Sequence, residues 1–67
     1  MTIIVNGENV EVPATVQTID DLVQHYKLGQ KIIVVEHNKQ IIEKESYTKQ
    51  VIKENDSIEI VNFVGGG

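Results

Sequence analysis

The stretch TIDDLVQHYKLG, residues 18–29, decides the fold because it predicts the clearest helix in the chain. Thr18 is a good N-cap, and Asp21 three residues later gives a weaker version of the capping box. Gly29 is the expected left-handed residue after the helix. Four apolar residues at helical spacing form one stripe: Ile19, Leu22, Val23 and Tyr26. A helix with a single stripe is expected to lie on a sheet.

A β-hairpin is predicted before the helix. Residues 2–5 are rich in β-branched side chains and run into Asn6-Gly7, a strong signal for a two-residue hairpin turn. A turn at this position places Ile3 opposite Val10. A longer loop pairs Val5 with Val10 instead and keeps the same residues on the buried face.

Further strands are predicted after the helix. Residues 32–35 are four apolar residues in succession, which is typical of a strand that is covered on both faces. The helix can cover one face, and the other is covered by a loop or is available to a partner. Residues 41–42 begin a short return strand, and residues 57–64 form a final strand that leads into three glycines.

The predicted order is therefore strand, strand, helix, strand, short strand, strand. A hairpin followed by a crossover helix and more strands of one mixed sheet is the β-grasp, or ubiquitin-like, arrangement. We predict an α+β fold with a mixed four- to five-stranded sheet, one main helix packed on one face, and the first and last strands side by side in the centre. Residues 1–64 are expected to form this domain, and residues 65–67 a flexible C-terminal glycine tail.

Composition narrows the classes of function. The chain has 67 residues, a formal net charge of −4 and no cysteine. The negative charge disfavours nucleic acid and anionic membranes as partners. The lack of cysteine excludes disulfides, thiolate metal sites and a cysteine nucleophile. No signal-peptide pattern is visible, and no segment approaches the roughly 20 apolar residues of a membrane span, so we expect a cytoplasmic protein.

Few side chains suggest catalysis. His25 on the polar side of the helix and His37 in a turn are predicted to be ordinary surface histidines, because they lack the spacing with carboxylates that a metal site requires. The sequence contains neither a P-loop nor a dinucleotide-binding glycine pattern. A domain this small offers no cleft for a pair of catalytic carboxylates. We predict no metal, no bound cofactor and a protein that is not itself an enzyme.

The last strand offers a candidate docking face. Ile58 and Ile60 are predicted to face the core because they alternate along the strand. Val61, Phe63 and Val64 are then predicted to form an exposed docking face for a partner. The alternative is a bulge that turns Phe63 into the core.

The three glycines that close the sequence are the remaining candidate. Gly65, Gly66 and Gly67 carry no Cβ, so they offer a neighbour no side-chain obstruction and can be threaded into a narrow cleft. The carboxylate of Gly67 is then the working group. A frayed end without function is the alternative.

Several segments together carry a resemblance to a known family. They are the hairpin with VNG at residues 5–7, the helix at residues 19–23, VEHNKQII at residues 35–42 and NDSIEIVNFVGGG at residues 55–67. With these segments the whole chain resembles the ThiS family, the ubiquitin-like sulfur carriers of thiamine biosynthesis. The family usually shows Gly-Asp before its last strand, where this chain has Asn55-Asp56; Asn also tolerates a left-handed backbone.

The resemblance implies a mechanism centred on Gly67. A ThiF-like adenylyltransferase would use Mg-ATP to convert its carboxylate into an acyl-adenylate, and sulfur from a persulfide donor would displace AMP. A ThiG-like thiazole synthase would take the sulfur from the resulting thiocarboxylate. Gly65 and Gly66 would give the enzymes access. The alternatives are a carrier like the small subunit of molybdopterin synthase, a ubiquitin-like protein modifier, and a plain interaction domain.

Overall fold

The computed structural model describes residues 1–63, and residues 64–67 lie outside the described part of the chain. The expected boundary between a domain over residues 1–64 and a tail over residues 65–67 therefore stays a prediction. Within residues 1–63, a 3₁₀ turn at Lys44–Ser46 lies before the last strand. The main elements, in chain order, are β1 (Thr2–Val5), β2 (Glu8–Glu11), α1 (Ile19–His25), β3 (Ile32–His37), β4 (Gln40–Ile42) and β5 (Ser57–Phe63).

The five strands form one mixed sheet in the order β2-β1-β5-β3-β4. β5 is the central strand; it runs parallel to β1 and antiparallel to β3. The two outer pairs, β1 with β2 and β3 with β4, are antiparallel. With one helix packed against this sheet, the predicted α+β, β-grasp class is confirmed.

The N-terminal hairpin turns at Asn6-Gly7, as predicted. Both residues have positive φ, 51° and 84°, which is the backbone geometry of the tight turn that matches strand twist. Ile3 pairs with Val10, so the two-residue turn sets the register. The alternative with a longer loop is wrong.

The helix begins with a complete capping box. The Thr18 hydroxyl accepts a hydrogen bond from the Asp21 amide at 3.1 Å, and the Asp21 carboxylate accepts from the Thr18 amide at 3.0 Å. The same carboxylate also accepts from the Gln17 amide. These backbone hydrogen bonds from Gln17 and Thr18 lower the pKa of Asp21. Asp therefore serves here as well as the more common Glu or Gln.

The end of the helix differs from the prediction. α1 stops at His25, and Lys27, not Gly29, takes the left-handed conformation with φ 60°. The Lys27 amide donates to the Gln24 carbonyl and the Leu28 amide to the Val23 carbonyl, both at 2.9 Å. This is the Schellman pattern. It brings Leu28 against the core, and burial of that side chain outweighs the preference of glycine for the left-handed position.

Lys27→Gly is expected to raise the free energy of unfolding by about 0.5–1 kcal/mol, because glycine adopts positive φ without a Cβ penalty. Urea denaturation measures the change. Lys31→Gly is the matched control, since Lys31 is also an exposed lysine near the helix end but has no positive φ. The control is expected to be neutral or destabilising, and equal effects at both positions would contradict the assignment.

The core lies between α1 and one face of the sheet. Tyr47 and Ile52, from the segment between β4 and β5, close its side and are also buried. Its fully buried side chains are Ile3, Val12, Ile19, Leu22, Val35 and Ile58. We call the opposite side of the sheet the outer face; in the part of the chain that the structure describes, no helix covers it.

Candidate functional site

Exposed apolar side chains gather on the outer face, at the end of the sheet where β5 finishes. Phe63 pairs directly with Ile32, and Val61 pairs with Val34. Because alternate residues of a strand share a face, these side chains lie together. Ile41 of β4 lies on the same face and is 69% exposed. We call the four exposed side chains, together with the half-buried Val34, the outer patch: Ile32, Val34, Ile41, Val61 and Phe63.

The structure distinguishes the two predictions for Phe63. Its side chain is 53% exposed and that of Val61 is 50% exposed, whereas Ile58 is fully buried. The pairing between β3 and β5 continues without a bulge to the last residue of β5. Phe63 is therefore not a core residue. A docking role for Val61, Phe63 and Val64 stays a prediction, and Val64 lies outside the described residues.

Two carboxylates border the outer patch. Glu36 and Glu59 are direct cross-strand partners on the outer face. Like charges at opposite positions destabilise a sheet, and within residues 1–63 neither glutamate forms a salt bridge. A surface that docks on the patch therefore meets negative charge at this border, which disfavours acidic partners.

The side chain of Asn6 supports the middle of β5, a role that the hairpin signal at Asn6-Gly7 does not indicate. The Asn6 amide donates to the Ile58 carbonyl at 2.9 Å, as a parallel ladder requires. β1 ends here, and the Asn6 side chain continues the ladder of hydrogen bonds to β5. Its Oδ1 accepts from the Ile60 amide at 2.8 Å, and its Nδ2 donates to the Ile60 carbonyl at 3.3 Å. One side chain thus holds the strand that leads to the glycines.

His37 is not the surface histidine that was predicted. It is the last residue of β3 and is 7% exposed, because pairing with Ile58 turns its ring to the core face. Its Nε2 lies 2.7 Å from the Asp56 carboxylate, and Gln50 contacts its Nδ1 at 2.9 Å. The alternation of Ile33, Val35 and His37 was the available signal. The histidine ties β3 to the loop before β5, which makes its role structural.

Asp56 is the centre of this polar cluster. Partial burial raises its pKa, but hydrogen bonds from His37, the Lys53 amide and Asn38 outweigh that effect and hold the pKa below its ordinary value. The Lys53 amide donates at 2.8 Å and the Asn38 side chain at 3.2 Å. The ionised carboxylate therefore fixes the loop that starts the central strand.

Asp56→Asn is expected to flatten the acid side of the stability curve. In the folded wild-type protein the pKa of Asp56 lies below its ordinary value of 3.8. Its ionised carboxylate therefore stabilises the fold fully above pH 3.8, and this stabilisation is lost as the pH falls through the folded pKa. At pH 7 the variant is expected to lose about 1–3 kcal/mol of stability, because charge-assisted hydrogen bonds are weakened. Urea denaturation from pH 7 to pH 2 measures both effects.

Glu45→Gln serves as the control for this pH series. Glu45 is exposed and makes no side-chain hydrogen bond with the described residues. The control is expected to follow the wild-type curve. Identical pH profiles for wild type and Asp56→Asn would contradict the role assigned to Asp56.

The described residues contain no candidate metal centre. Among residues 1–63, no group of three or more histidine and carboxylate side chains is placed to hold a metal ion. Within the same range, no helix has the length and apolarity that a membrane span requires. Gly65, Gly66 and Gly67, the residues predicted to carry the chemistry, lie outside the described part of the chain.

Fold and site together define a small ubiquitin-like protein of the β-grasp class, with an exposed apolar patch where its central strand finishes. The profile of the ThiS family matches residues 2–67. The chain belongs to the ThiS family, which confirms the resemblance seen in the sequence.

Individual relatives agree with this assignment. The chain is 48% identical to the sulfur carrier protein ThiS of Bacillus subtilis over 62 residues, which cover 92% of this chain and 94% of the relative. The structure also superimposes on the crystal structure of the thiamine biosynthesis protein ThiS from Geobacter metallireducens, with a TM-score of 0.83 and 29% sequence identity. The superposition covers 100% of both chains.

A third relative is larger. A thiazole synthase of Paramagnetospirillum magneticum is 33% identical over all 67 residues of this chain, but the match covers only 20% of the relative. A segment similar to this chain therefore forms part of a longer polypeptide that is named thiazole synthase.

Proposed function

We propose that this protein is a sulfur carrier of thiamine biosynthesis and acts as a co-substrate of its partner enzymes, not as a catalyst. The observation that carries the proposal is the outer patch on the central strand, in a chain that matches the ThiS family through residue 67. The patch provides a surface on which an enzyme can bind, and its last residue, Phe63, is four residues before Gly67.

The proposed chemistry takes place at the Gly67 carboxylate. A carboxylate is a poor electrophile, so an adenylyltransferase of the ThiF type first uses Mg-ATP: the carboxylate attacks the α-phosphorus, and pyrophosphate leaves. The terminal sulfur of a persulfide then attacks the carbonyl carbon, and AMP leaves. A thiol finally cleaves the remaining sulfur–sulfur bond and releases the thiocarboxylate. The magnesium and ATP belong to the partner enzyme.

The residues of this chain suit these steps. Gly65 and Gly66 place no side chain beside the reacting carbonyl of Gly67. The chain has no cysteine, so no internal thiol can intercept the activated carbonyl. Ordering each glycine costs about 1–2 kcal/mol, so we propose that the outer patch supplies most of the affinity for the enzymes.

Thiazole synthase of the ThiG type is the proposed acceptor of the sulfur. The longer thiazole synthase relative supports this pairing, because joining two modules in one polypeptide raises their effective concentration for each other. Residues 64–67 in extended form reach about 13 Å, at roughly 3.3 Å per residue. The reacting centre of each enzyme is therefore expected about that far from the surface that meets Phe63.

Two other functions share the fold and the terminal glycines. A carrier like the small subunit of molybdopterin synthase uses the same activation chemistry for another pathway. A ubiquitin-like modifier forms an isopeptide bond with lysines of other proteins. The 48% identity to a sulfur carrier named for the thiamine pathway favours the first proposal over both.

Deletion of the gene in its host separates the two sulfur pathways. We expect the deleted strain to require thiamine, or its thiazole portion, and to keep molybdenum-enzyme activity. A plasmid copy is expected to restore growth, and a copy that lacks residues 65–67 is the matched control that does not. Growth without thiamine, together with lost molybdenum-enzyme activity, would overturn the assignment in favour of the molybdopterin pathway.

A further inference from the structure

The central strand has a free backbone edge just before the terminal segment. Alternate residues of a strand direct their amides to the same side. Ile58 and Ile60 bond to Asn6 on the β1 side, so the amide of Asn62 also faces that side and points away from β3. β1 pairs with β5 only as far as Ile58. In residues 1–63, the Asn62 amide has no acceptor on this edge.

A groove adjoins this free edge on the helix side of the sheet. Its volume is about 330 Å³. Apolar side chains of Val10, Tyr26 and Leu28 line it, and Glu8 is the charged residue among the described lining side chains. An unpaired edge beside an apolar groove is the arrangement to which an extended peptide adds as a strand, with its backbone on the edge and an alternate side chain in the groove.

We propose that the enzyme that activates the terminal carboxylate supplies such a strand. A backbone carbonyl of the enzyme's strand accepts a hydrogen bond from the Asn62 amide. An apolar side chain of the same strand enters the groove, and a basic side chain of the enzyme lies near Glu8. The occupant follows from position in the sequence: the carboxylate that this enzyme activates is only five residues after Asn62, so an enzyme that reaches Gly67 also lies close to this edge. The inference rests on the proposed function, because it assigns the edge to the adenylyltransferase.

Amide hydrogen exchange of the full chain, alone and bound to the adenylyltransferase with Mg-ATP, tests the pairing. Val61 is the internal control, since it pairs with Val34 and its amide faces β3, so we expect it to be protected in both states. Asn62 is expected to exchange at least about 100-fold faster than Val61 in the free chain, as unpaired edge amides do. On binding, its exchange is expected to slow at least about tenfold. Unchanged exchange at Asn62 in a saturated complex would overturn the inference.

Substitution at Asn62 gives an independent test. Asn62→Pro removes the amide on the free edge, where proline is tolerated, and leaves the β3 ladder intact. Its Kd for the adenylyltransferase is expected to rise about tenfold, the equivalent of one lost hydrogen bond. Asn62→Ala keeps the amide and is expected to stay within about twofold of wild type. Equal affinity of a folded proline variant and wild type would refute the proposal.

The outcomes separate this inference from the proposed function. Wild-type chain that takes up no sulfur from the enzyme, ATP and the donor contradicts the proposed function itself. Wild-type chain that takes up sulfur while Asn62 gains no protection leaves the carrier function intact and rejects the strand pairing. If the proline variant does not fold, the exchange measurement on wild type decides.

Discussion

Adding one alanine after Gly67, or replacing Gly66 with alanine, is expected to lower sulfur loading at least about 100-fold. A displaced reacting group loses the alignment that an active site provides, and small misplacements cost that much. The added residue moves the carboxylate past the reacting position, and the Gly66 variant adds a Cβ where a narrow cleft fits bare backbone. Loading is measured as thiocarboxylate formed with adenylyltransferase, ATP and a sulfur donor.

Two comparisons make this result specific. The melting temperature of each variant is expected to match wild type, because the changes follow the last described strand. A chain that lacks Gly67 still ends in two glycines, so it distinguishes reach from residue identity. If that chain takes up sulfur but fails to transfer it, the length of the terminal segment, and not the identity of its last residue, limits sulfur transfer. Normal loading of the extended chain would show that Gly67 is not the working group.

Phe63→Ala is expected to raise the Kd for the adenylyltransferase and for thiazole synthase about 10- to 30-fold. Aromatic residues at the centre of an interface commonly contribute about 2 kcal/mol or more. In the free protein Phe63 is half exposed and contributes mainly through its pairing with Ile32, so stability is expected to fall by less than about 1 kcal/mol. Calorimetric titration and thermal unfolding measure the two effects.

Val51→Ala is the matched control for Phe63. Val51 is 55% exposed, close to the 53% of Phe63, but it lies in the loop before β5 and outside the outer patch. Its Kd is expected to stay within about twofold of wild type. A large loss of stability in Phe63→Ala with unchanged affinity would place the docking surface elsewhere.

Local sequence signals were sufficient where neighbouring residues decide the structure. Asn6-Gly7 fixed the hairpin because both residues accept positive φ. Thr18 and Asp21 marked the start of the helix because a capping box needs only residues close in sequence. The order of these elements was then enough to predict the β-grasp fold.

Distant contacts explain what the sequence left open or predicted wrongly. Lys27 is left-handed because that geometry brings Leu28 against the core, a gain that exists only in the folded protein. The register of β3 turns His37 to the core face, and its ring is stabilised there by Asp56, a partner 19 residues away. The ladder from Asn6 to Ile60 spans 54 residues. None of these contacts can be inferred from spacing along a single chain.

The central claim is that the Gly67 carboxylate accepts sulfur, and mass analysis of the C-terminal peptide tests it most directly. After incubation with adenylyltransferase, ATP and a persulfide donor, cleavage after Lys53 releases residues 54–67, which are free of the single methionine and its oxidation products. We predict the mass gain of one oxygen-to-sulfur exchange, localised to Gly67 and dependent on ATP. An unmodified terminus beside a loaded control carrier, or an amide bond from Gly67 to a lysine of another protein, would contradict the account.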